Sequence, residues 1–155
     1  IADLFKKGEA LPDGVNLKNK FIYYVGPVDA VRNEVIGPAG PTTASRMDQF
    51  MEMMLAELGI MGTIGKAERG ESAVQTIKKY QSVYLSAVGG AAYLVSKAIT
   101  SSKVVAFPEL GMEAIYEFEV KDMPVMVSID TQGKSIYSEA PSRWKNKSIP
   151  LKASS

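Results

Sequence analysis

A pair of threonines and an arginine stand where the chain could bind an anion. A loop rich in glycine and proline at residues 37–41 leads to Thr42 and Thr43, which are predicted to cap the helix that follows. The free amides and hydroxyls of such a helix start attract anions. Arg46 falls in the first turn, where a cation opposes the helix dipole, and a residue that breaks a local rule is a functional candidate. Together they would hold a carboxylate; the alternative is an ordinary capped helix with a surface arginine.

Lys66 is a second candidate cation. It follows a predicted strand at residues 60–64 and lies in a glycine-flanked turn. In an open α/β sheet, ligands bind outside the carboxyl ends of the strands, so Lys66 and the threonine pair could face one pocket. The alternative is a solvated loop lysine. Gly89 and Gly90 follow a third predicted strand, where they would either admit a ligand close to the backbone or pack a helix against the sheet.

Two carboxylates, Glu109 and Glu113, flank Gly111. Either could orient Lys66 or transfer a proton, and the alternative is that they cap a helix or stay solvated. The 155 residues include no cysteine and no histidine, which excludes zinc sites built on histidine, Ser-His-Asp triads and Cys-His dyads within this chain. We therefore expect no metal ligands here, and any chemistry must use lysine, arginine, carboxylate, hydroxyl or backbone groups.

The composition is that of a globular domain, with 46% hydrophobic and 23% charged residues. The net charge of +1 gives no electrostatic argument for a nucleic-acid partner or an anionic membrane. No apolar run reaches the roughly 20 residues of a membrane span, and no signal peptide is visible. The lack of cysteine fits a reducing compartment, so a cytoplasmic location is predicted.

Strands and helices are predicted to alternate in the first two thirds of the chain. Apolar runs of strand length and helical spacings of apolar residues indicate strands at 21–25, 60–64, 83–88 and 104–107, with helices at 47–58, 72–80 and 91–99. This order predicts a parallel sheet with right-handed crossovers. Residues 1–8 read as the end of a helix stopped by Gly8, so we expect the chain to be a fragment of a longer protein.

The pattern changes after Pro108. Strands are predicted at residues 116–120 and 124–129, and a turn at 131–134 leads into residues 135–137, which is typical of an antiparallel hairpin. The chain is thus predicted to be one domain, residues 1–140, followed by a polar and partly loose tail, residues 141–155.

Five segments resemble, in order, the signatures of class I fumarases and L-tartrate dehydratases, in their C-terminal domain or separate β subunit. A YYxGP strand end, a GPTT-x-x-RMD loop, the start of a GKGxR turn, a YxxxxGGxA segment and an ELGMEAI element correspond to residues 23–27, 40–48, 65–69, 84–92 and 109–115. The resemblance implies an α/β fold, a swivelling β/β/α three-layer domain with a central, mainly parallel sheet and a smaller antiparallel sheet.

The resemblance also implies a function. The family adds water reversibly across the double bond of a short dicarboxylate, and a 4Fe-4S cluster held by three cysteines acts as the Lewis acid. Without cysteine, this chain is expected to be the cluster-free, substrate-binding half of a hydro-lyase, inactive without a cysteine-bearing α subunit or N-terminal domain and forming a homo- or hetero-oligomer. Fumarate hydratase is the first expectation. The alternatives are an L-tartrate dehydratase β subunit, a dicarboxylate-binding module without catalysis and a purely structural partner domain.

By the same resemblance, Thr42, Thr43 and Arg46 would bind a substrate carboxylate, and Lys66 would bind a carboxylate or polarise the reacting group. Thr42 would relay the proton from the carbon next to the carboxylate. This chain departs from the family in two places. Ala67 stands where the GKGxR turn has its second glycine, and the family's upstream A-R-D segment, with its substrate-binding arginine, is not among these 155 residues, since residues 1–3 resemble the helix that follows it. We expect poor activity if that segment is missing.

Overall fold

The fold contains two β-sheets of unequal size. A computed structural model describes residues 1–145. In chain order the elements are α1 (Ala2–Lys6), β1 (Phe21–Tyr23), α2 (Met51–Ala56), β2 (Gly62–Gly65), α3 (Glu71–Lys79), β3 (Val83–Ala87), α4 (Ala92–Lys97), β4 (Ile99–Ala106), β5 (Ile115–Val120), β6 (Val125–Ile129) and α5 (Ile136–Lys145). Two 3₁₀ segments, Ala44–Phe50 and Pro108–Glu113, lie between them.

The central sheet has four strands in the order β1-β2-β3-β6. The first three are parallel, with Phe21 opposite Gly62 and Gly62 opposite Val83, whereas β6 runs antiparallel to β3. A separate antiparallel pair, β4 and β5, forms the second sheet. The predicted fold class is therefore confirmed as a mixed α/β fold with a mainly parallel central sheet and a small antiparallel sheet.

The predicted fourth parallel strand is wrong. Residues 104–107 overlap the end of the longer β4, which pairs with β5 instead of extending the central sheet. The physical reason lies in Lys103, since a strand of a parallel sheet is buried on both faces and the charged end of this side chain needs solvent. In β4, only the terminal Ile99 and Ala106 are buried.

The methionine-rich helix is shorter than its apolar spacing predicts. Its first half is the 3₁₀ segment Ala44–Phe50, and only Met51–Ala56 is α-helical, before Gly59 ends the element with a φ of 63°. The apolar spacing itself is confirmed, because buried residues of this region form the main core: Ala44, Met51, Met54, Leu55, Leu58 and Ile60. They belong to the same core cluster as Ala73 and Ile77 of α3 and Tyr84 of β3.

The predicted turn before residue 135 is confirmed, but the hairpin is not continued. The carboxylate of Asp130 accepts the N–H groups of Gln132 and Lys134, and Ile129 and Ser135 form one antiparallel bridge. The Ser135 hydroxyl then accepts the N–H of Tyr137, which is how a serine starts a helix, so α5 begins where a strand was predicted. The helix crosses residue 140; residues 146–155 of the predicted tail lie outside the described residues.

No helix in residues 1–145 combines the length and the apolar character needed to cross a membrane.

Candidate functional site

The threonine pair and Lys66 are joined through their backbones. Thr43 and Lys66 form a parallel bridge, in which the Lys66 N–H donates to the Thr42 carbonyl at 3.0 Å and the Ala44 N–H donates to the Lys66 carbonyl at 3.1 Å. The Thr42 N–H also donates to the carbonyl of Tyr24, just beyond β1, at 2.8 Å. The two loops therefore lie side by side at the carboxyl ends of β1 and β2, where α/β sheets bind ligands.

Glycines allow three loops to converge at this edge. A Cβ on Gly65 would lie 2.8 Å from the Cβ of Ala44, which is closer than real Cβ contacts come. A Cβ on Gly40 would lie 3.1 Å from the Cβ of Ala92, so Ala92 would have to shift slightly to admit it. A Cβ on Gly89 would lie 4.0 Å from Cδ of Lys66, which shows that the lysine side chain passes next to the loop after β3. The loops after β1, β2 and β3 thus meet around Lys66.

Both candidate cations are exposed. Arg46 projects from the 3₁₀ segment, Lys66 from its turn, and within residues 1–145 neither forms an ion pair. Thr42 and Thr43, on the loop bridged to Lys66, are half-buried. Two exposed positive charges that have no carboxylate partner in the described part of the chain, on loops that also carry two hydroxyl donors, are suited to hold an anionic ligand.

The predicted N-cap position is confirmed at Thr43, but the expected side-chain cap is not formed. Thr43 occupies the N-cap position, yet its side chain makes no capping hydrogen bond, and the helix it precedes is a 3₁₀ segment of seven residues. The reason is that its backbone is bridged to Lys66, which sets its orientation. The anion-binding capacity therefore rests on side chains and not on a helix dipole.

The two carboxylates after β4 do not join the site. Glu109 and Glu113 lie in the 3₁₀ segment Pro108–Glu113, both are exposed, and neither pairs with Lys66. The segment approaches β1 instead, because a Cβ on Gly26 would lie 3.8 Å from Sδ of Met112. The hypothesis that either carboxylate orients Lys66 finds no contact in its favour.

The sequence patterns did not predict an ion pair behind the site, which joins the buried Arg69 to the half-buried Asp48. Arg69 is 4% exposed, and its Nε lies 2.5 Å from Oδ1 of Asp48. The other Asp48 oxygen accepts the Gly70 N–H at 2.7 Å, while Arg69 Nη1 donates to the Thr63 hydroxyl at 3.0 Å. The available signal was that two loop motifs, RMD and GKAER, end in residues of opposite charge.

Two tyrosine rings enclose this buried arginine. Its guanidinium carbon lies 5.0 Å from the centre of the Tyr84 ring and 5.8 Å from that of Tyr24, within the range of cation–π attraction. Burial raises the pKa of Tyr24 to about 12, against the opposing effect of Arg69, and burial also raises the pKa of Tyr84. Both phenols are neutral at physiological pH, so Asp48 is the counter-ion of Arg69. Arg69 Nη2 has no hydrogen-bond partner among the described residues.

The turn that carries Lys66 contains a strained residue. Ala67 has a left-handed backbone with a φ of 68°, and its carbonyl accepts the Tyr84 hydroxyl at 2.9 Å. This conformation costs an L-residue about 1–2 kcal/mol, whereas glycine adopts it freely.

Replacing Ala67 by glycine should raise the melting temperature by about 1–4 °C. The relief of strain exceeds the added unfolded-state entropy of glycine by about 0.5–1 kcal/mol. Thermal unfolding followed by circular dichroism measures the shift. Glu68→Gly is the matched control, because Glu68 does not have a positive φ, and it should lower the melting temperature. A fall for Ala67→Gly as well would show that the left-handed turn is not strained.

A groove of about 670 Å³ lies between β1, β5 and the loop at residues 14–20. Thr42, Thr43, Arg46 and Lys66 do not line it. The candidate site is thus distinct from this groove.

The chain matches the family model described as Fumarase C-terminus over residues 1–140. It is 36% identical over 140 residues to fumarate hydratase 2 of Leishmania major, covering 90% of this chain and 24% of that protein. It is 38% identical over 140 residues to the aerobic class I fumarate hydratase of Escherichia coli K12, covering 90% of this chain and 25% of that protein.

A shorter relative matches over most of its own length. The chain is 35% identical over 144 residues to a protein of Methanocaldococcus jannaschii described as an L(+)-tartrate dehydratase subunit beta, covering 90% of this chain and 73% of that protein. The chain therefore belongs to the fumarase C-terminus family, and the resemblance seen in its motifs is confirmed. It spans about a quarter of the length of the fumarate hydratases that it matches.

The residues of this chain do not fit an iron–sulfur cluster. The sequence offers no cysteine thiolate, and residues 1–145 hold no group of three or more histidine, cysteine or carboxylate side chains arranged to bind a metal ion.

Proposed function

We propose that this domain is the substrate-binding half of a hydro-lyase that adds water to a short dicarboxylate, with fumarate hydration to (S)-malate as the first candidate. The observation that carries the proposal is the presence of two exposed cations, neither of them ion-paired within residues 1–145, on two bridged loops: Lys66 opposite Thr43, and Arg46 three residues after Thr43. Its kinship with two fumarate hydratases supports the choice of reaction.

The site residues bind the substrate in distinct ways. Arg46 presents a planar fork that suits the two oxygens of a carboxylate, and Lys66 adds a point charge that can move toward the carboxylate or the reacting group. The threonine hydroxyls donate further hydrogen bonds. Exposed charges bind weakly in water, so a partner that covers the site strengthens each contact by removing water.

Thr42 is the proposed proton relay. Its backbone is held on two sides, because its N–H donates to the Tyr24 carbonyl and its carbonyl accepts the Lys66 N–H. The side chain that carries the hydroxyl is therefore attached to a fixed backbone. In hydration the hydroxyl gives its proton to the carbon next to the substrate carboxylate and takes a replacement proton from water; in dehydration it takes the proton from that carbon and gives its own to water. Lys66 and Arg46 meanwhile stabilise the negative charge that grows on that carboxylate when the proton leaves.

A cysteine-bearing partner completes the proposed enzyme. Since this chain has no thiolate, we propose that a 4Fe-4S cluster is held by a separate domain or subunit, where it supplies Lewis-acid chemistry. The description of the Methanocaldococcus jannaschii relative as a subunit beta supports a division of this enzyme between chains.

L-Tartrate dehydratase is the second candidate. The observation in its favour is that the chain covers 73% of the tartrate dehydratase subunit beta of Methanocaldococcus jannaschii, against about a quarter of the fumarate hydratases. Both reactions need a carboxylate site, so the residues of this domain serve either one.

An anaerobic hydratase assay tests the proposal. Fumarate and L-tartrate are offered to this chain, to the cysteine-bearing partner, and to their mixture, with and without the family's A-R-D segment joined before Ile1. Turnover in the mixture alone is expected and would identify the substrate. If no mixture is active although the cluster is intact, the hydro-lyase proposal is wrong. Dicarboxylate binding by this chain would then indicate a binding module, and its absence a structural partner domain.

A further inference from the structure

We infer that the buried Asp48–Arg69 ion pair is a positioning device that fixes the two candidate substrate cations relative to each other. Its predicted effect on turnover rests on the function proposed above, but its effect on the loops does not. Asp48 follows Arg46 by two residues in the same 3₁₀ segment, and Arg69 follows Lys66 by three residues in the same turn.

Asp48 uses both carboxylate oxygens to hold the turn. Oδ1 binds Arg69 Nε, and Oδ2 accepts the backbone N–H of Gly70. Two contacts to adjacent residues fix the orientation of the 3₁₀ segment as well as its distance from the turn. The segment that carries Arg46 therefore cannot rotate without breaking a contact to the turn that carries Lys66.

Arg69 in turn anchors both loops to the central sheet. It donates to Thr63 in β2, and its guanidinium lies against the rings of Tyr24, which follows β1, and Tyr84 in β3. Tyr84 also donates to the Ala67 carbonyl inside the turn. The turn that carries Lys66 is thus held in place by contacts to or just beyond all three parallel strands.

Stability alone does not account for a buried ion pair. Removing two charges from water is costly, and apolar residues of similar size often stabilise a fold as well or better. An apolar pair would not fix the relative orientation of the two loops. Dispersion contacts tolerate rotation, whereas the hydrogen bonds that a planar guanidinium donates do not. The geometry indicates that the ion pair serves to align the two loops.

The decisive variant replaces both charges together, Asp48→Asn with Arg69→Met. It leaves no buried charge without a partner, and the amide oxygen introduced at position 48 can still accept the Gly70 N–H. We expect its melting temperature to recover most of the loss that Arg69→Met causes alone. The KM of the assembled enzyme for its dicarboxylate should nevertheless rise about 10- to 100-fold, since a misplacement of about 1 Å carries a penalty of that order.

Amide hydrogen exchange in this chain measures how firmly the two loops are held together, and it does not require an active enzyme. The N–H groups of Ala44 and Lys66, which join the two loops, should exchange faster in the double variant. The control is Glu52→Gln with Lys79→Met, an exposed ion pair between α2 and α3, which should leave the KM and both amides unchanged.

Three outcomes separate the possibilities. A double variant with wild-type KM and wild-type exchange at both amides would overturn the positioning role. If the wild-type mixture has no hydratase activity, the proposed function fails, and amide exchange alone decides the present inference. If the double variant does not fold, Arg69→Lys takes its place. It keeps the charge but loses the planar fork, so faster exchange at the same amides is expected, and unchanged exchange contradicts the inference.

Discussion

Arg46→Ala should lower kcat/KM for the dicarboxylate by about 100-fold or more in the assembled enzyme, without changing the melting temperature of this chain. Loss of one partner from a desolvated charge pair costs about 2–5 kcal/mol, and 3 kcal/mol corresponds to roughly 100-fold. Stability is spared because Arg46 is exposed and has no ion pair within residues 1–145. Steady-state kinetics on the mixture of this chain and its cysteine-bearing partner measures the effect.

The matched control for Arg46 is Arg143→Ala. Arg143 is also an exposed helical arginine, and it pairs with Glu139 one turn away in α5. An exposed pair of this kind contributes little, so neither turnover nor stability should change appreciably. An unchanged kcat/KM for Arg46→Ala would remove this arginine from the site.

Lys66→Met should lower kcat/KM by a similar factor of about 100, because methionine keeps the aliphatic length and loses the charge. Whether the loss appears in KM or in kcat shows what Lys66 does. A rise in KM alone indicates that Lys66 binds a carboxylate in the ground state, whereas a fall in kcat indicates that it acts on the reacting group in the transition state. The melting temperature should stay constant, since Lys66 is exposed and unpaired among the described residues.

Lys103→Met, an exposed lysine on β4, is the control for Lys66. The double variant Arg46→Ala with Lys66→Met asks whether both cations hold the same carboxylate. If they do, the combined loss is smaller than the product of the two single losses, because the second substitution removes a contact already weakened by the first. Full multiplicativity would assign the two cations to different groups of the substrate.

The sequence predicted those parts of the fold that local patterns decide. Apolar runs located β1, β2 and β3, and helical spacing located α3, because burial on both faces or on one stripe leaves a trace in neighbouring residues. The pairing of β4 with β5 was not predicted. A strand that follows a helix has the same local sequence pattern whether it joins the central sheet or another one. Lys103 was the local clue against the central sheet, because its charge needs solvent.

The juxtaposition of the candidate site residues was predicted in part for the same reason. The motifs placed Thr42, Thr43 and Lys66 after strands, and strand order then brought them together. The link between Asp48 and Arg69 spans 21 residues and depends on how two loops fold over the sheet, which no local pattern records. The left-handed backbone of Ala67 was equally hidden, because alanine gives no local signal of that conformation.

The bridge between Thr43 and Lys66 has a consequence for the thermodynamics of binding. Because the two loops share backbone hydrogen bonds, their conformational entropy, about 1–2 kcal/mol for each ordered residue, is lost when the domain folds and not when substrate arrives. Any swing of this domain toward a partner would therefore carry the threonines and the lysine as one preassembled unit. Substrate binding then has to fix only the mobile ends of long side chains.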